Sequence, residues 1–101
     1  MNQARMMQQI RKMQQDMERV QTELANTVIE GTASGGIVTV AISGEFTVKK
    51  VTIKPEAVDP GDVETLEDLI VVAFNDALGK VQALSSSKMG AITGGMKIPG
   101  M

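Results

Sequence analysis

The chain has no cysteine, no histidine, no tryptophan and no tyrosine, and its only aromatic side chains are Phe46 and Phe74. Without cysteine, disulfides and thiolate metal sites are excluded, and nothing in the sequence asks for an oxidising compartment. Without histidine, the usual proton shuttle at neutral pH and the commonest metal ligand are both missing. With two aromatics there is no platform on which successive nucleobases could stack. An enzyme would have to be built from carboxylates and lysines alone, so no catalytic role, cofactor, metal or small-molecule substrate is expected. Long apolar runs are absent too. The longest, Leu69 to Phe74, cannot span a bilayer, and the seven charges within residues 1–26 do not suit a signal peptide. A cytoplasmic protein without a membrane partner is the expectation.

What is present is enough for a single domain over residues 1–101. A lone core in a chain of this size is thin, so self-association is a reasonable prior. Ten Lys and Arg against twelve Asp and Glu leave a net charge of −2, which by itself does not announce nucleic acid.

The chain reads as helix, three strands, helix and tail. The first helix is predicted from about Asn2, a possible N-cap, to Ala25. Met6, Ile10, Met13, Met17, Val20 and Leu24 follow steps of four and three, within about 40° of a common line. So narrow a stripe suits packing against one other helix or ridge. Glutamines at 3, 8, 9, 14, 15 and 21 cover much of the remaining surface.

Strands are predicted at roughly 27–32, 37–43 and 46–54, separated by "TASGG" (32–36) and "SGE" (43–45), which read as hairpin turns. Val38, Val40 and Ile42 alternate with Thr39, Ala41 and Ser43, the period of a half-buried strand. In the third strand Phe46 and Val48 share one parity while Val51 and Ile53 share the other. Either a bulge at Lys49-Lys50 or a strand apolar on both faces would account for this.

The second helix has start signals: Asp59 as N-cap, Pro60 at the first position, Asp62 at the third, and Val58 with Val63 as a hydrophobic staple. Leu66, Leu69, Ile70, Ala73, Phe74, Ala77, Leu78, Val81 and Leu84 make a wide apolar face suited to a sheet, and "SSS" (85–87) reads as its end. The glycine-rich tail 88–101 holds too little apolar surface for independent order and is expected to be mobile, or ordered only on a partner. The predicted architecture is therefore α-β-β-β-α, an α+β fold with a three-stranded antiparallel sheet. One wide helix covers one sheet face, which leaves the narrow first helix to meet its equivalent in a second copy.

Charge is segregated along the chain. Residues 1–15 hold Arg5, Arg11 and Lys12 and no acid; residues 56–76 hold seven acids and no base. Acids in the first turns of the second helix agree with the helix dipole. Cations at the start of the first helix oppose it, which is weak evidence for an external anion. Arg5, Lys12 and Arg19 recur every seven residues as one row, a geometry that can follow a phosphate backbone. Asp16 and Glu23 lie near the row and can pair with Lys12 and Arg19, so charge alone favours an ordinary solvated face. Lys49 and Lys50 fit a second anion contact less well than lysines that protect an edge strand.

Four stretches together resemble the YbaB/EbfC family of bacterial nucleoid-associated proteins. They are the Gln/Met-rich basic first helix, "GGIVTVAISGEFTVKKVTIKPEAV" (35–58), "LEDLIVVAFNDAL" (66–78) and "KMGAITGGMKIPG" (88–100). The resemblance implies a cytoplasmic, nucleoid-located homodimer that binds double-stranded DNA, coats or compacts it and influences transcription. It implies a tweezer-like dimer whose first helices project from a joined sheet core, with DNA held at the helical extremities. On that basis the DNA contacts are expected at Arg5, Arg11, Lys12, Arg19 and Lys88. The seven acids would then face away from DNA. The competing expectation is a protein-interaction module that docks a partner through the first-helix seam or the tail.

Overall fold

A computed structural model describes residues 2–93. Helix α1 (Asn2–Ala25) is followed by strands β1 (Val28–Ala33), β2 (Val38–Ser43) and β3 (Val48–Ile53) and by helix α2 (Val63–Thr93). The strands form one antiparallel sheet in the order β1-β2-β3, so the predicted α+β order and sheet are those observed. Short 3-10 turns cover Ser34–Gly36 and Pro55–Ala57.

The sheet is sided because its alternation is strict. Val38, Val40 and Ile42 of β2 are buried on one face, while Thr39 and Ala41 lie on the other. Opposite β2 on the buried face stand Ile29, Gly31 and Ala33 of β1. On β3 the matching positions are Ile53, Val51 and Val48, and the register shifts between Ala41 and Ile42 so that Lys49 is the extra residue. That bulge, one of the two readings left open above, puts all three apolar residues of β3 on the core face.

Helix α2 lies along β1 and β2. Ala73, Ala77 and Val81, spaced by four, form its buried ridge against Val38, Val40 and Ile42, with Leu69, Ile70, Phe74 and Leu78 flanking it. Gly31 sets the depth of this contact. A Cβ there would overlap the carbonyl oxygen of Ala73 and the amide nitrogen of Ala77, so only glycine lets the helix backbone settle on β1. Because α2 covers β1 and β2, β3 is left at the rim, where Val48 and Val51 remain 43% and 44% exposed.

The two sheet edges differ. Glu30 and Thr32 turn their backbone groups away from β2. Asp76 and Lys80, one turn apart on α2, reach over to meet them. The Thr32 amide donates to Asp76 Oδ2 at 2.9 Å, and Lys80 Nζ donates to the Glu30 carbonyl at 3.1 Å. Lys80 and Asp76 also pair with each other at 3.1 Å. The Thr32 amide, then Lys80, holds the Asp76 carboxyl below its usual range. On the other edge, Val51 and Ile53 point their backbone groups outward, and β3 is the last strand of the sheet.

Two expectations for α2 are corrected. It starts at Val63, with Asp62 rather than Asp59 as the capping residue: the Thr65 amide donates to Asp62 Oδ1 at 3.3 Å and the Thr65 hydroxyl to Oδ2. Asp59 instead stabilises the preceding turn by accepting from the Gly61 amide at 2.9 Å. Nor does the helix end at Ser85–Ser87; it runs to Thr93. Packing against α1 supports this last stretch where serine and glycine propensity would not. Of the tail 88–101, residues 88–93 are therefore helical and the others lie outside the described residues.

Helix α1 occupies the predicted span. Its base is pinned: the Gly44 amide donates to the Leu24 carbonyl at 2.8 Å and to that of Thr27 at 3.0 Å, and Val20 and Leu24 are buried. The rest projects. Twenty-four residues make a rod of about 36 Å. The radius of gyration is 19.4 Å and the longest extent 73 Å, where a compact chain of this length has a radius of about 13 Å.

Candidate nucleic-acid interface

The projecting helix divides the predicted seam in two. Val20 and Leu24 pack within the chain at 4% and 6% exposure, and Met13 is half-buried. Met6 and Ile10, towards the tip, are 58% and 53% exposed. Met17, between the two groups, is 37% exposed. Met6, Gln9, Ile10 and Met13 line a shallow apolar groove of about 240 Å³.

The predicted cations divide at the same level. Arg5, Arg11 and Lys12 stand exposed near the tip and make no ion pair or hydrogen bond among the described residues. No acid lies in the first turn of α1 to complement its dipole. Arg5 thus sits at the positive end of the helix dipole, an arrangement that an external anion would relieve, while Arg11 and Lys12 stand about two turns further along.

Arg19 and Lys88 are in a different situation. Arg19 lies between Asp16 at 3.6 Å and Glu23 at 3.8 Å, and Lys88 pairs with Glu23 at 3.0 Å. The expected partnership of Asp16 and Glu23 with the cation row therefore holds for Arg19 and not for Lys12. The signal for Arg19 was local, three and four residues away. That for Lys88 was not, because Glu23 is 65 positions distant in sequence. These four side chains border a cleft of about 230 Å³ between α1 and the C-terminal end of α2, floored by Val20 and Ile92.

Helices α1 and α2 run antiparallel here, so the N-terminal tip of α1 points away from the start of α2. The acids Asp62, Glu64, Glu67 and Asp68 gather at that start, 20 or more residues from Lys88 along α2. At 1.5 Å per residue that is a separation of about 30 Å or more. The molecule is positive at the projecting tip and negative at the far end, a polarity that would orient it on a polyanion. Lys49 and Lys50 are exposed on β3, as edge-strand lysines are. No helix of the described residues is long and apolar enough to cross a membrane.

The sequence model of the YbaB/EbfC DNA-binding family matches residues 1–96. A nucleoid-associated protein of Pelotomaculum thermopropionicum is 51% identical over 100 residues, covering 99% of this chain and 95% of that protein. One from Chloroflexus aurantiacus is 52% identical over 97 residues, covering 96% and 97%. The fold is shared with the crystal structure of an uncharacterized protein from Helicobacter pylori. Its TM-score is 0.75 at 17% identity, over 86% of this chain and 91% of that one.

Proposed function

As the chain belongs to the YbaB/EbfC DNA-binding family, we propose that it is a nucleoid-associated protein that binds double-stranded DNA through phosphate contacts at the tip of α1. The family is a DNA-binding one and not a class of enzymes. The observation that carries the site is the trio Arg5, Arg11 and Lys12, exposed, free of acids and raised on a projecting helix. Arg and Lys supply most sequence-independent attraction to DNA, and each phosphate neutralised adds about 0.9 to the slope of log affinity against log salt.

The protein works as a homodimer in this reading. Support comes from apolar surface that a single chain leaves in water: Met6, Met7 and Ile10 on α1, and Val48 and Val51 on β3. Two projecting helices give a tweezer-like outline, coat or compact the duplex and influence transcription by occupying it. A solution mass measurement tests the dimer.

The DNA reading is tested by fluorescence anisotropy on a mixed-sequence duplex across a salt series. The triple variant Arg5→Ala, Arg11→Ala, Lys12→Ala is expected to bind more weakly, with a slope shallower by about 2 to 3 per subunit. Unchanged affinity and slope would remove these residues from the interface. A second reading rests on the apolar groove at Met6, Ile10 and Met13, which suits docking of another protein. Docking of that kind would be nearly indifferent to salt, so the same titration separates the two.

A further inference from the structure

The four charges at the foot of α1 sum to zero. Arg19 continues the row of Arg5 and Lys12 down α1, yet it and Lys88 are both held by Glu23, and Arg19 by Asp16 as well. None of the four is deeply buried, and side-chain exposure runs from 29% for Asp16 to 65% for Arg19. Pairs this exposed exchange readily with other anions, since each is weakly held in high dielectric.

Of these four, Glu23 is the acid that meets a cation on each helix. Its Oε1 faces Arg19 and its Oε2 faces Lys88, so one carboxylate occupies both cations much as a phosphate with two free oxygens would. The cleft beside it, about 230 Å³, has room for such a group. The tip cations have no comparable partner among the described residues.

We propose that Glu23, assisted by Asp16, is an internal competitor for DNA phosphate that masks Arg19 and Lys88. This rests on the DNA reading above and extends it to a second, conditional contact. The tip trio engages the duplex first. Arg19 and Lys88 join when a backbone phosphate displaces the Glu23 carboxylate, which then turns to solvent. The chain thus carries five candidate cations of which three act unconditionally. Glu23 sets how much affinity the other two add.

The test is Glu23→Gln in the full chain, with anisotropy on the same duplex across salt. Glutamine keeps the shape, and the Glu23 backbone carbonyl that accepts from Thr27 Oγ1 at 2.6 Å is untouched. Asp16→Asn, which removes one of the two acids that hold Arg19 while leaving Lys88 paired, serves as a second variant should Glu23→Gln perturb the helix junction, with a smaller gain expected. Glu18→Gln is the control: an equal charge change on the same helix, at a side chain with no ion pair among the described residues.

Glu23→Gln is expected to bind about two- to tenfold more tightly at 100 mM salt, with a slope steeper by about one to two per subunit. The gain should vanish when Arg19→Ala and Lys88→Ala are added. If Glu23→Gln gains no more than Glu18→Gln, or keeps its gain without Arg19 and Lys88, the mask is refuted. Failure of the DNA reading looks different: the wild-type chain would not bind the duplex, or would be indifferent to loss of the tip trio.

Discussion

Replacing Gly31 by alanine adds one methyl group and should remove a large share of the protein's stability. The added Cβ would overlap backbone atoms of Ala73 and Ala77 and stand 2.7 Å from Ala77 Cα, where ordinary contact begins at 3.4 Å. Backbone cannot rotate aside as a side chain does, so α2 must lift from the sheet by about 1 Å to relieve the closer overlaps with Ala73 and Ala77. A gap of that size forfeits a quarter to a half of each dispersion contact it opens. The contacts at stake are those of Ala73, Ala77 and Val81 with Val38, Val40 and Ile42, the entire fully buried layer between helix and sheet. Overpacking of this kind costs about 3 kcal/mol, against a total stability of about 5 to 15 kcal/mol for a domain. At about 4 to 8 °C per kcal/mol the melting temperature should fall by about 12 to 24 °C. Helical circular dichroism followed through heat and urea measures both quantities. Gly79→Ala provides the contrast. Nothing lies within 4 Å of its Cβ, and on helix propensity alone it should stabilise by about 0.5 to 1 kcal/mol. If Gly31→Ala changes stability by less than about 0.5 kcal/mol, α2 does not seat on β1 as described.

Two further changes probe local chemistry. Asp62→Ala removes the side chain that caps α2 and should lower stability by about 1 kcal/mol in urea unfolding, whereas Asp59→Ala, off the helix, should cost less. Asp76→Asn should be less stable than wild type at neutral pH because it gives up a carboxylate favoured by the Thr32 amide and Lys80. The sign follows from a folded pKa held below its unfolded value: the stabilisation is present above about pH 4 and is lost as pH falls through the folded pKa. Urea midpoints of the two proteins should therefore converge in acid; a gap that stays constant from pH 7 to pH 3 would count against the assignment.

Much of the fold is written in local periodicity. The span of α1 follows from steps of three and four, and the sheet follows from valine alternating with threonine and alanine on either side of glycine turns. What escaped was decided between elements. Asp59-Pro60 and Asp62 are both good helix starts, and the chain uses the first for a turn and the second for the cap. Ser85–Ser87 have the propensity of an ending, yet α1 packs beside them and the helix continues through Lys88. Phe46 closes its hairpin at φ 65°, a conformation that usually selects glycine, and no neighbouring residue announces it. The candidate site was legible as residue types. Which cations are free was not, because an ion pair with a residue 65 positions away leaves no periodic trace.

The unequal edges of the sheet carry a consequence for growth. A strand edge with free amides and carbonyls is a template, and a sheet with two of them can be extended without limit into a fibre. Here Asp76 and Lys80 hold the Thr32 amide and the Glu30 carbonyl of one edge with side-chain atoms, which leaves the outer side of β3 as the more open template. If two copies join there, each presents its sealed edge outward and addition stops. One ion pair on α2 would then fix the size of a strand-joined assembly at two.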